Sequence, residues 1–151
     1  MLERRSAIEL RASGDGSSPR LAGYAAIFDS PSQDLGGFIE IIRASAFTRS
    51  LASNAADPLA LVQHMPHLVL GRRSAGTLRL AEDRKGLAFE VDLPDTVAAR
   101  DLLVSVKRGD VRGASFAFTV PKGGDNWDLR GDRVVRELRD VDLHEITITA
   151  A

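Results

Sequence analysis

The stretch Gly113-Ala114-Ser115-Phe116-Ala117-Phe118 constrains this chain more than any other. In an extended backbone successive side chains point to opposite faces. Phe116, Phe118 and Val120 therefore share one face, and Ser115, Ala117 and Thr119 share the other. The aromatic face is built for a core. That leaves Ser115 on a face of small residues, where another molecule can approach it. Most serines in such a position are structural, so the meaning of Ser115 depends on what else the chain supplies.

Most of the remaining pattern is also of period two. Residues 5–12 alternate apolar and polar, as a half-buried strand does, and Leu21 to Phe28 would complete a hairpin with them across the Gly- and Ser-rich turn from Ser13 to Pro19. Phe38 to Ile42 is a further short strand, Ala46 to Ala52 a short helix with Ser45 as its N-cap, and Pro58 to His64 a buried strand. Pro66 limits how far a regular element continues there. Thr77–Ala81 and Gly86–Leu93 form a hairpin after the turn Gly71 to Gly76. The clearest helix is Thr96 to Arg108. Asp95 or Thr96 can cap its free amides, Gly109 suits a left-handed end, and Ala99, Leu102, Leu103 and Val106 form a core-facing stripe. Lys122 to Gly131 reads as a long polar loop, and strands at Arg133–Arg139 and Val141–Thr149 close the chain. At least seven short strands and one or two helices predict an α+β or mainly-β domain, an antiparallel barrel or sandwich decorated by helices.

With 151 residues the chain suits one domain, 1–151, with a real core. Its net charge is −1 with both signs interspersed, which argues against a nucleic-acid or membrane partner held by bulk charge. The absence of cysteine excludes disulfides, thiol catalysis and thiolate zinc sites. No apolar run reaches spanning length and Met1-Leu2-Glu3-Arg4-Arg5 lacks a secretory apolar segment, so a soluble intracellular protein is expected.

For Ser115 to act as a nucleophile it needs a base, because a serine hydroxyl attacks poorly until its proton can be accepted. His64 ends a strand, on the face of Ala60 and Val62, just before a proline-containing loop. It is either that base or a strand-end histidine bonded to a backbone carbonyl. His64 and His67 are three apart, but Pro66 between them and the lack of a third ligand argue against a metal. In the last strand Glu145 shares a face with Thr147 and Thr149, and His144 shares one with Ile146 and Ile148. Either could orient a histidine, and a β-bulge would swap their faces. Arg130-Gly131-Asp132 resembles an adhesion tripeptide without extracellular support. Gly14-Asp15-Gly16 and Lys122-Gly123-Gly124 are turn chemistry rather than phosphate loops.

Ordered segments carry a family resemblance from about residue 20 onward. They are Gly23 to Phe28, Asp34 to Glu40, Ala46-Phe47, Gln63-His64, Leu70 to Arg72, Gly76 to Leu80, Gly86 to Pro94, Arg108 to Phe118 and Leu143 to Ile146. Together they resemble the prohead (capsid maturation) serine proteases of tailed phages, and a protease of a phage-derived gene transfer agent would look the same. The resemblance implies a fold like the herpesvirus assembly protease, an antiparallel β-barrel surrounded by helices. It implies Ser115 as nucleophile, His64 as general base and Glu145 as the orienting member, with His144 as the alternative because the herpesvirus enzymes use a second histidine. Gly71, Arg72 and Arg73 are candidates for an oxyanion loop by the same analogy. The implied substrate is the major capsid protein with its scaffold segment, cut inside the immature capsid in the host cytoplasm. No cofactor or metal is implied, and self-association to a dimer is expected of the active form. The segment Ile146-Thr147-Ile148-Thr149 departs from the family's usual Ser-Pro-Val-Thr type. The chain also stops at Ala151, where relatives often carry a further tail, which leaves a truncated or processed form open.

Overall fold

The computed structural model describes residues 1–150 with the exception of 8, 16 and 54. The expected strand over 5–12 is two strands, β1 (Glu3–Ala7) and β2 (Leu10–Ser13), which join different sheets. Ile8 of that strand, Gly16 of the turn after it and the terminal Ala151 lie outside the described residues. There follow β3 (Arg20–Ile27), β4 (Ile39–Ile42), α1 (Thr48–Ala52), β5 (Leu59–Val62), β6 (Met65–Arg72), β7 (Leu78–Glu82) and β8 (Gly86–Asp92). Then come α2 (Val97–Arg108), β9 (Gly113–Thr119), β10 (Asp125–Arg130), β11 (Arg133–Leu138) and β12 (Asp142–Thr149).

The mainly-β expectation holds, but the described strands do not close into one barrel. They divide into a five-stranded sheet β1-β9-β12-β5-β6, a four-stranded sheet β2-β3-β8-β7 and a three-stranded sheet β10-β11-β4. The first two enclose the core. Leu21, Leu87, Phe89 and Val91 come from one sheet and Phe116, Phe118, Ile146 and Ile148 from the other. Phe116 is the hub, edge-on to Phe47 at 5.3 Å and stacked with Phe118 at 5.0 Å, arrangements that add to the burial of the rings themselves.

Local signals placed α2 well. The Thr96 hydroxyl accepts from the Ala99 amide at 3.2 Å, and Gly109 takes φ 85° as the left-handed end. The short helix differs. It starts at Thr48, its N-cap position is Phe47 without a side-chain bond, and Ser45 sits at φ 73°. The expected loop over 122–131 is mostly β10, an outer and largely exposed strand paired in register to β11. Gly23 is required by packing, since a Cβ there would lie 1.9 Å from the Glu9 carbonyl oxygen.

A charged cluster ties β1 to the three-stranded sheet. Arg136 donates to both oxygens of Glu3, to Glu40 and to Asp125, and Arg5 donates twice to Glu40. Glu40 and Arg136 are buried, so each depends on its partners to offset lost hydration. This cluster keeps the edge strand β1 in place beside β9.

Candidate active site

Strand β9 runs between β1 and β12. Ser115 stands directly opposite Ser6 on one side and Thr147 on the other, and Ala117 stands opposite Arg4 and Glu145. Directly opposed residues share a face, so Ser115, Ala117, Thr147 and Glu145 line the face away from Phe116. The two-face expectation for this stretch therefore holds. Ser115 is only 1% exposed, however, and its hydroxyl has no hydrogen-bond partner among the described residues.

His64 does not end a strand. Strand β5 stops at Val62, which pairs with Met65, so Gln63 and His64 form a two-residue hairpin turn. Both have positive φ, 50° and 58°, as a type I′ turn requires. Neither residue is the glycine or asparagine that such a turn favours, and each left-handed residue costs about 1–2 kcal/mol. The reversal moves the imidazole to the other face. Ala60 and Val62 pair with Ile146 and Ile148, so an extended chain would have aimed His64 into the core.

Strand β12 holds this turn at several points. The Gln63 amide donates to the Ile148 carbonyl at 3.0 Å, and the Thr149 hydroxyl donates to Gln63 Oε1 at 3.0 Å. The His64 amide donates to Thr147 Oγ1 at 2.8 Å, while that hydroxyl donates onward to the Leu61 carbonyl at 3.0 Å. His64 Nδ1 lies 2.7 Å from Glu145 Oε1, with both side chains mostly covered. With Nδ1 engaged, Nε2 is the nitrogen left to exchange a proton, since the bond at one ring nitrogen sets the tautomer. His64 and Ser115 thus share Thr147 as a common neighbour. It faces one as cross-strand partner and takes the amide of the other.

His144 is placed otherwise than expected. A register shift between Leu143 and Glu145 makes it the extra residue of a bulge. It is exposed rather than packed in the core, and its Nε2 lies 2.8 Å from Thr119 Oγ1. Glu145, not His144, is the group in contact with His64. His67 is exposed on β6, and no group of three or more His, Cys, Asp or Glu among the described residues could hold a metal.

The structure does not bring Gly71, Arg72 and Arg73 to Ser115. Gly71 and Arg72 end β6, three strands from β9, or about 14 Å at the usual strand spacing. The Arg72 amide donates to Thr77 Oγ1 and the Arg73 amide to the Pro58 carbonyl, so neither is free for an oxyanion. The side chains are also occupied, Arg72 by Asp57 and Arg73 by the Leu51 carbonyl. Hydrogen bonds from Arg72 and Ser74 hold the Asp57 carboxyl down at about 2.

Thr147 and Gln63 are site residues to which the sequence assigned no role, although Gln63 stands beside His64 in a segment that carries the resemblance. The signal available for Thr147 was its place two residues after Glu145 on the same strand face.

The model of the caudovirus prohead serine protease family matches residues 6–151. The prohead protease of Enterobacteria phage HK97 is 32% identical over 116 residues, covering 76% of this chain and 48% of that protein. The chain thus spans about half the length of this curated relative. No solved structure matches. A match along nearly the whole sequence, through both the Ser115 strand and the His64 turn, places the chain in the caudovirus prohead serine protease family.

Proposed function

We propose that the chain is a serine endopeptidase that cuts capsid protein and its scaffold segment inside an immature phage-like shell. Ser115 attacks the scissile carbonyl, His64 Nε2 takes the hydroxyl proton, and the same proton passes to the leaving amine. Water then releases the acyl group by the reverse sequence. Glu145 keeps the imidazole in the tautomer that leaves Nε2 free to accept, and it stabilises the imidazolium once formed. The observation that carries this reading is the 2.7 Å contact from His64 Nδ1 to Glu145, made on the Ser115 face of the sheet. The bulge contact of His144 with Thr119 favours Glu145 over His144 as third member.

The hydroxyl of Ser115 is covered and has no partner among the described residues, which supports a quiet resting form. A protease packaged with its scaffold must not cut before the shell closes, so high local concentration or dimerisation would complete the site. The same burial favours a second reading, a non-enzymatic capsid-assembly module with this fold.

Co-expression with a capsid protein that forms particles separates the two. Ser115→Ala should abolish processing, by a thousandfold or more on the scale of triad serines, and dilute wild-type chain should turn over far more slowly than enclosed chain. Undiminished processing by Ser115→Ala would remove the nucleophile and leave the module. Equal turnover in dilute and enclosed form would remove the latency.

A further inference from the structure

We infer that Thr147 is a positioning residue for the chemistry at Ser115, its hydroxyl fixing the backbone of His64 so that the imidazole stands over Glu145. The inference rests on the reading of His64 as general base. A two-residue turn with both central residues left-handed is unfavourable for Gln-His, and such conformations persist only where the surroundings over-determine them. The bonds that do so here come from consecutive residues of β12, and of these only the Thr147 bond falls on the His64 amide itself.

The direction of that bond is determined. Thr147 Oγ1 has one proton, which goes to the Leu61 carbonyl at 3.0 Å, so a lone pair meets the His64 N–H at 2.8 Å. The residue is fully buried, and water cannot replace either bond when the hydroxyl is removed. Glu145 lies two residues earlier on the same strand face. One strand therefore locates His64 at two points, the amide through Thr147 and the ring through Glu145. Valine has the shape of threonine but can make neither bond, whereas serine can make both.

The test uses the full chain co-expressed with a particle-forming capsid protein, the form in which the proposed activity is complete. The probe is an organic fluorophosphonate, in which the serine oxygen bonds to phosphorus, fluoride leaves and the base takes the proton. Thr147→Val should lower the maximal labelling rate at Ser115 about 10- to 100-fold, the scale of a displaced catalytic group. The half-saturating probe concentration should stay within about twofold of wild type by the same argument. Thr147→Ser should recover most of the rate. Leu80→Ala, at a partly buried residue of β7 packed against the core, serves as a control of lowered thermal midpoint and should keep the wild-type rate. In proton NMR the His64 Nδ1–H resonance should be lost in Thr147→Val and kept in Thr147→Ser. Wild-type labelling by Thr147→Val, or persistence of that resonance in it, overturns the inference. An equal loss of rate in Leu80→Ala does so too, by reducing the role to general stability. If His64→Ala labels as fast as wild type, the base reading itself fails. If His64→Ala is inert while Thr147→Val is not slowed, only the positioning role fails.

Discussion

Replacing Ser115 by alanine should make the protein more stable while removing the proposed activity. The Ser115 hydroxyl has under 1 Å² of accessible surface and, among the described residues, no hydrogen-bond partner. A buried, unsatisfied hydroxyl costs about 1–3 kcal/mol, and alanine removes it without disturbing the Cβ. The void left by one oxygen, on the order of 10–20 Å³, returns about 0.2–0.5 kcal/mol of destabilisation at about 24 cal/mol per Å³. The net gain is about 0.5–2.8 kcal/mol, or a rise of about 2–9 °C in thermal midpoint for a chain of this size. Urea unfolding should show a higher midpoint with an unchanged slope, since the surface exposed on unfolding is the same. A loss of about 0.5–1.5 kcal/mol would refute the reasoning, because that is what a satisfied hydroxyl contributes. The partner would then be sought in His64 by repeating the substitution in a His64→Ala background, where a bond between the two side chains appears as non-additivity. A gain in stability on loss of the proposed nucleophile is what a site built for reaction rather than for rest should show.

Two further outcomes follow from the same geometry. Glu145→Ala should lower capsid processing by about 10²- to 10⁴-fold, as loss of an orienting carboxylate does. His144→Ala should leave it within a few-fold, because that ring contacts Thr119 and not His64; the opposite ranking in co-expressed particles would make His144 the third member. Asp57 should contribute to acid stability, because its carboxyl, ordinarily at 3.8, is held down at about 2 by Arg72 and Ser74. A depressed folded value gives stability that is present above the ordinary value and lost as pH falls through the depressed one. The thermal-midpoint deficit of Asp57→Asn should therefore be full at pH 5 and shrink towards pH 2, and a deficit constant across that range would refute the linkage.

What was legible in the sequence was what neighbouring residues decide. Helix α2 carries its own cap at Thr96 and its own stop at Gly109. The β7–β8 hairpin and the two faces of the Ser115 stretch follow from period-two alternation, and the structure has both. Alternation is silent on partners, however. It ran Glu3–Ala7 together with Leu10–Ser13, although one pairs with β9 and the other with β3. It also missed β10, whose residues are largely exposed at the outside of a sheet, so no buried face imposes a pattern on them. The described strands form three sheets rather than one closed barrel, and strand count alone does not say which strands pair across sheets.

The turn at Gln63-His64 exposes the deeper limit. By local preference these residues continue β5, and Pro58 to His64 reads as one strand. A continued strand would put His64 on the face of Ala60 and Val62, against Ile146 and Ile148 and on the wrong side of the sheet from Ser115. Contact between His64 and Glu145 therefore requires the backbone to reverse within two residues that disfavour it. The forces that reverse it come from residues 147 to 149, more than eighty positions away in the chain. A conformation that local preference opposes has to be imposed by distant contacts, so a reading from local preference fails at that residue. The same argument locates where such failures gather. They fall where a side chain must be held in an uncommon pose for chemistry, and in this chain the largest one falls on the histidine that meets a carboxylate beside Ser115.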